Sequence, residues 1–171
     1  MTPNDILIDT FGRVHGELPR QLDGLSMLGL TWRPDGDANP IGWLAWHLTR
    51  VQDDHLAGLV DAEQVWTRDG FADRFALPYP VEAIGYGQHR DEVDAFVVDE
   101  PQPLIEYHDA VHRRTVEIVS GLDAAQFERV VDRHWDPPVT AAVRLVSVAN
   151  DITQHLGQIS YVRGLWDRRA A

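Results

Sequence analysis

The chain has 171 residues, a length suited to one domain with a real core, and 44% of them are hydrophobic, which argues against disorder. Its 15 basic and 27 acidic side chains leave a formal charge of −12, so nucleic-acid phosphates and anionic membrane surfaces are disfavoured partners. Cysteine is absent, which removes disulfides and any thiolate ligand or nucleophile of the chain's own.

The start, Met1-Thr2-Pro3-Asn4-Asp5, lacks the basic residues and apolar stretch of a signal peptide. No apolar run approaches the ~18 residues of a membrane span. A cytoplasmic location is expected.

Thr2 followed by Pro3 predicts a first helix over 3–26, with Ile6, Phe11, Val14, Leu18, Leu22 and Leu25 at helical spacing and a kink or split at Pro19. Residues 27–38 read as a loop. Asn39 as a cap and Pro40 at the first helical position open a second helix over 40–60, rich in buried-type residues such as Trp43, Trp46 and Leu48. Residues 61–100 are broken by Gly70, Pro78, Pro80, Gly85 and Gly87 and read as a long crossover with a short helix near 81–95; connections of this length are often functional. Gly85-Tyr86-Gly87 is too little for a phosphate loop. A third long helix is expected over 102–121, with Leu104, Tyr107, Val111, Thr115 and Ile118 on one side. Asp123 caps a short helix to about Val130, and Trp135-Asp136-Pro137-Pro138 forces an extended approach to the last helix. That helix, capped by Thr140, runs over 141–167 with Val143, Val146, Ala149, Ile152, Leu156, Ile159 and Val162 in period. The one weak strand candidate is Ala95-Phe96-Val97-Val98, and no strand pair is convincing. Four long helices joined by one long crossover point to an all-α four-helix bundle, a single domain over 1–171.

Asp151 and His155 lie four residues apart, about 40° around a helix, so both side chains leave one face among Ile152, Leu156 and Ile159. By spacing alone, a carboxylate–imidazole hydrogen bond or a surface pair is the commoner outcome. His47, inside Trp43-Leu44-Ala45-Trp46-His47-Leu48, adds a second semi-buried imidazole. Two histidines and a carboxylate on two bundle helices make a three-ligand metal site with open positions for water or substrate. For Asp54 and His55, solvent exposure is the expected reading over a supporting or substrate-binding role, and for His108 and His112 a solvated pair beside Arg113 and Arg114. His134 reads as a loop residue. Gln158 is open between orienting a ligand and local packing, while Trp43, Trp46 and Trp66 read as core or pocket wall. Arg163-Gly164 and Arg168-Arg169 are too few for a nucleic-acid patch.

The segment Asn39-Pro40-Ile41-Gly42-Trp43-Leu44-Ala45-Trp46-His47-Leu48 resembles the first metal-ligand helix of the DinB/YfiT-like superfamily. The segment Asn150-Asp151-Ile152-Thr153-Gln154-His155-Leu156-Gly157-Gln158, with its His-x-Gly-Gln signature, resembles the last. Many members are His/His/His. Asp151 makes this chain similar to the acidic branch, near the N-terminal domain of mycothiol-dependent maleylpyruvate isomerase, with a shorter carboxylate. Trp135-Asp136-Pro137-Pro138-Val139-Thr140 also resembles actinobacterial members of uncharacterised function. The isomerase carries a further C-terminal domain, whereas this sequence ends at Ala171 soon after the last motif, which speaks against maleylpyruvate as the substrate.

The resemblance implies an up-down-down-up bundle, often dimeric, holding a divalent metal, zinc or nickel, through His47, Asp151 and His155. It further implies a metal-dependent S-transferase that uses mycothiol or another low-molecular-weight thiol on a small electrophile, with the 61–100 crossover shaping the pocket. The alternatives are a non-catalytic metal- or small-molecule-binding stress-associated dimer, or a helical domain whose ligand-like residues are structural. The expected partners are a small-molecule substrate and a second copy of the chain.

Overall fold

The structure, a computed structural model, describes residues 1–169. Helix α1 (Pro3–Leu22) begins as the sequence predicts: Thr2 Oγ1 accepts the Asp5 N–H at 3.2 Å while Asp5 Oδ2 accepts the Thr2 N–H at 2.7 Å, a reciprocal cap. The helix runs through Pro19 and ends at Leu22, short of the expected residue 26. The stretch expected as loop contains a short helix, α2 (Met27–Thr31), because Leu25 and Leu30 are drawn into the core and fold the chain back onto the bundle.

Helix α3 (Ile41–Leu59) starts one residue later than expected, with Pro40 as its N-cap and no side-chain capping bond. Asn39 is therefore not the cap. The first three turns of α3 are buried all round, as befits a helix with neighbours on every side. The crossover carries α4 (Val65–Arg68), α5 (Phe71–Phe75) and α6 (Arg90–Asp94), the last far shorter than the helix expected near 81–95. Residues 95–98 form no strand; Phe96 and Val98 are buried anchors of an irregular segment.

Helix α7 (Gln102–Gly121) has the predicted bounds and buries the predicted face. Asp123 caps α8 (Ala124–Glu128). A strand pair absent from the sequence reading follows: β1 (Val130–Asp132) and β2 (Val139–Thr140), antiparallel, with the Trp135–Pro138 stretch as their turn. Thr140 then caps α9 (Ala141–Arg168) by accepting the Val143 N–H. The inward face of its first turns differs from the expected one. Leu145 and Val148 are buried there, and Val143 and Val146 face out.

Long-range hydrogen bonds set the helix directions. Asn4, at the start of α1, donates to Val119 O and Leu122 O at the end of α7, so these two run antiparallel. Arg163, late in α9, donates to Gln21 O in the last turn of α1 and to Asp23 O just past it, so these run parallel. Thr49 meets His108 and Gln52 meets Thr115, making α3 and α7 parallel. The result is an up-down-down-up four-helix bundle, with α1 and α3 on one diagonal and α7 and α9 on the other. No helix among the described residues is long and apolar enough to cross a membrane.

Candidate metal centre

Because α3 and α9 run antiparallel and pack closely, the first half of α3 faces the middle of α9. His47 from α3 and Asp151 and His155 from α9 converge there, each offering a ligand atom within 4.8 Å of the others. His155 Nε2 lies 3.7 Å from Asp151 Oδ1. That is too long for a hydrogen bond, yet inside the ~4.2 Å that two donors at ~2.1 Å from one ion can span. Asp151 Oδ2 is buried and has no hydrogen-bond partner. A buried carboxylate oxygen without a partner is costly, and a cation between the three side chains removes that cost. The oxygen and two imidazole nitrogens suit several divalent transition metals. No fourth His, Asp or Glu joins the group among the described residues, so the donor set leaves coordination positions open.

Both imidazoles are fixed from behind. The Ile84 carbonyl accepts from His47 Nδ1–H. Gln158 Oε1 accepts from His155 Nδ1–H at 2.9 Å. Each bond selects the tautomer that leaves Nε2 with its lone pair toward the shared space, the role such outer partners play in metal sites. Trp43 stacks on His47 at 4.7 Å and 17°, and its own Nε1–H donates to Gln88 Oε1 at 2.8 Å. Burial pushes the His47 imidazole below its usual pKa, against the pull of the Ile84 carbonyl, so the ring is neutral and ligand-competent at pH 7.

The crossover thus reaches the centre through Ile84 and Gln88. It is held in place by two buried residues the sequence reading did not single out. Arg50, wholly buried in α3, donates through Nε to Ala83 O at 3.1 Å and through a guanidinium nitrogen to Gln64 Oε1 at 2.7 Å. Asp53 accepts the Val65 and Trp66 N–H groups at the start of α4 and the Tyr107 hydroxyl at 2.8 Å. The signal available in the sequence was a charged pair, Arg50 and Asp53, inside a helix otherwise fit for full burial.

The remaining polar candidates divide. Gln158 orients His155. Asp54 and His55 are half-buried rather than solvent-exposed and line a separate hollow of about 310 Å3 with Arg144. Asp54 accepts from Gln64 Nε2. His55 is held below its usual pKa by burial first and by the Arg144 charge second. The solvated pair expected at His108 and His112 is corrected. His108 is 1% exposed, donating through Nδ1 to Thr49, whose hydroxyl hydrogen is already given to Ala45 O. His112 stacks on His15 at 4.1 Å and 11°. His134 is an exposed loop residue, and Trp46 and Trp66 are core.

No curated protein matches the chain. Among solved structures it is similar to a conserved protein from Enterococcus faecalis, with 29% identity, a TM-score of 0.89, and 95% of this chain and 96% of that one covered. A sequence model of the DinB superfamily matches residues 10–159. Helix order, the placement of His47 and the two α9 residues, and this match over most of its length agree: the chain belongs to the DinB superfamily.

Proposed function

We propose that the protein holds one divalent metal, zinc or nickel, through His47, Asp151 and His155, and that it is a metal-dependent S-transferase joining mycothiol or another low-molecular-weight thiol to a small electrophile. The observation that carries the reading is the convergence of three side chains whose imidazoles are tied from behind, with a buried carboxylate oxygen left unpartnered between them. A bound ion supplies the Lewis acidity that lowers a thiol's pKa and favours its thiolate at pH 7. The chain's own part is positional. Ile84 and Gln158 lock the imidazoles, Trp43 covers the inner face of His47, and the absence of any cysteine leaves the thiol to come from outside. We further propose that the protein is a homodimer. The outward start of α9, Val143, Val146, Ser147 and Asn150, is exposed and uncharged in a chain of charge −12, which suits contact between like-charged copies.

Elemental mass spectrometry on untagged protein tests the metal. Near one equivalent is expected in the wild type and little in a His47→Ala/His155→Ala variant. Asp151→Asn is expected to weaken affinity by roughly tenfold or more, since losing a ligand costs at least what losing its outer partner does. Thiol consumption with 1-chloro-2,4-dinitrobenzene, followed by absorbance in wild type and variant, then tests the transfer. A wild type that takes up neither zinc nor nickel sinks the metalloenzyme. A metal-loaded protein that transfers no thiol leaves the non-catalytic binding reading. Light scattering on the same preparations gives the mass, and a monomer rejects the dimer.

A further inference from the structure

The crossover between α3 and α7 closes over a second cavity, of about 140 Å3, which none of His47, Asp151 and His155 lines. The buried Trp46 and Trp66 form its inner wall, the half-buried Tyr79 and Ala83 line it from the crossover, and the exposed Asp73 stands at its rim. A cavity of ~150 Å3 admits a benzene-sized molecule. Ala83 lines this cavity and its neighbour Ile84 orients His47, so the two places share one chain segment but no side chain.

The side-chain donors of the wall are matched with one exception. Trp66 Nε1–H donates to Val81 O at 3.0 Å. The Tyr79 hydroxyl donates to Glu92 O at 2.6 Å. Trp46 is 1% exposed, and its Nε1–H is buried without a partner. Trp43, one turn earlier in α3, shows the contrast, because its indole N–H is met by Gln88 Oε1. A buried donor without an acceptor is costly, and an acceptor brought from outside the chain offsets that cost.

Charge sorts the ligands this wall can take. An anion meets no Lys, Arg or His in the lining and must pass Asp73 in a protein of charge −12. A cation needs aromatic faces set apart around it. Here the Trp46 and Tyr79 rings are in contact at 5.4 Å, and Arg50 already lies 5.0 Å over the Trp66 ring. Burial first, and the Glu92 charge second, push the Tyr79 hydroxyl up to about 12, so this wall stays neutral. Flat aromatic walls favour a ring, and one free N–H calls for one acceptor. We propose that the cavity binds a small uncharged aromatic molecule carrying a single hydrogen-bond acceptor, as an aromatic aldehyde or nitrile does, with Trp46 Nε1–H as the donor.

The probes are benzonitrile, which carries the acceptor, and phenylacetylene, which has the same shape without the lone pair. Each is titrated into the full chain, and the readout is the Trp46 indole Nε1–H resonance in nitrogen-15 spectra. Benzonitrile is expected to shift it saturably and to bind roughly 2- to 10-fold more tightly than phenylacetylene, the worth of one neutral hydrogen bond. Trp46→Phe, followed through the Trp66 indole resonance, is expected to bind both probes alike. Ala72→Leu, which fills part of the cavity from α5, is expected to weaken both at least ~10-fold. No saturable shift with benzonitrile, equal affinities in the wild type, or undiminished binding in a folded Ala72→Leu variant overturns the proposal. Equal affinities would mean that water already meets the Trp46 donor. The wild-type and Ala72→Leu titrations decide the matter even where Trp46→Phe fails to fold. Neither probe needs a metal, so a failure of the metal centre leaves this test standing.

Discussion

Gly85 holds the backbone at φ +91°, and a Cβ built on it would lie 2.7 Å from His47 Nδ1 and 2.9 Å from the Trp43 ring. Only glycine takes that conformation without strain and lets the Ile84 carbonyl reach the imidazole. Gly85→Ala is expected to cost about 1–3 kcal/mol of stability. It also displaces the bond that orients His47, so under the proposed metal reading zinc affinity is expected to fall roughly 10- to 100-fold. Gly58→Ala, where a Cβ meets nothing and φ is ordinary, serves as the control and is expected to be neutral or slightly stabilising. Urea unfolding and zinc titration of both variants measure the pair of effects, and an unimpaired zinc affinity in Gly85→Ala would reject the orienting role of Ile84. At this scale, the shared face of Asp151 and His155 was legible because helical spacing is local, and the burial of His47 because its neighbours mark a buried helix. Ile84 was not, because it acts through a backbone carbonyl, which carries no side-chain signature. His108 was misread because Arg113 and Arg114 suggested solvent, whereas α1 and α3 close over the His108 side of α7.

The crossover between α3 and α7 owes its place to buried polar anchors more than to its own short helices. Asp53 satisfies the first N–H groups of α4, and Arg50 ties Ala83 and Gln64 while lying 5.0 Å over the Trp66 ring. Burial raises the Asp53 pKa, opposed by the donors from Trp66, Val65 and Tyr107 and by Arg50. Removing Asp53 leaves the Val65 and Trp66 N–H groups and the Tyr107 hydroxyl buried without an acceptor, and the Arg50 charge without its nearby carboxylate. Asp53→Ala is therefore expected to cost about 3–5 kcal/mol, read as a lower urea midpoint. Tyr107→Phe, which deletes a neutral hydroxyl that donates to Asp53 and accepts from Arg50, is expected to cost about 1–2 kcal/mol. If the two variants unfold at the same midpoint, the carboxylate is not the anchor. The long helices were readable in the sequence because their caps and apolar period are local features: α7 has the predicted bounds and Thr140 starts α9 as expected. The hairpin was not, because strands of three and two residues carry no alternation to detect. The first turns of α9 were misphased because valines stand on both the inner and the outer side, and only tertiary packing decides between them.

Across the whole bundle, α1, α3 and α7 bring together the imidazoles of His15, His108 and His112. His108 donates to Thr49, and its Nε2 is buried without a partner. His15 pairs with Asp109 at 3.0 Å and stacks on His112. Burial, with the neighbouring imidazoles adding to it, lowers the His108 pKa to about 3 and lowers that of His112 as well. In the unfolded chain both return to about 6.5. Above that value both states hold the rings neutral and nothing is lost. As the pH falls below it, only the unfolded state takes up protons, so folding stability drops by about 1.4 kcal/mol per pH unit for each ring kept neutral. For His108 the loss continues until the pH nears 3. Carboxylate protonation cannot explain a slope that starts near pH 6.5, because unperturbed Asp and Glu titrate around 4. Urea unfolding at pH 7.5, 6.5 and 5.5 is expected to show a plateau between the first two and a clear fall at the third. His108→Asn keeps a donor for Thr49 without a titrating group and is expected to make that fall shallower by one ring's share, with His47, His55 and His112 still contributing, while lowering stability at pH 7.5. The slope links pH to the whole fold, because the same imidazole contacts hold α7 against both helices that flank it. An unchanged slope in His108→Asn would mean that the acid sensitivity arises elsewhere, and that the buried ring at the bundle centre is structurally silent.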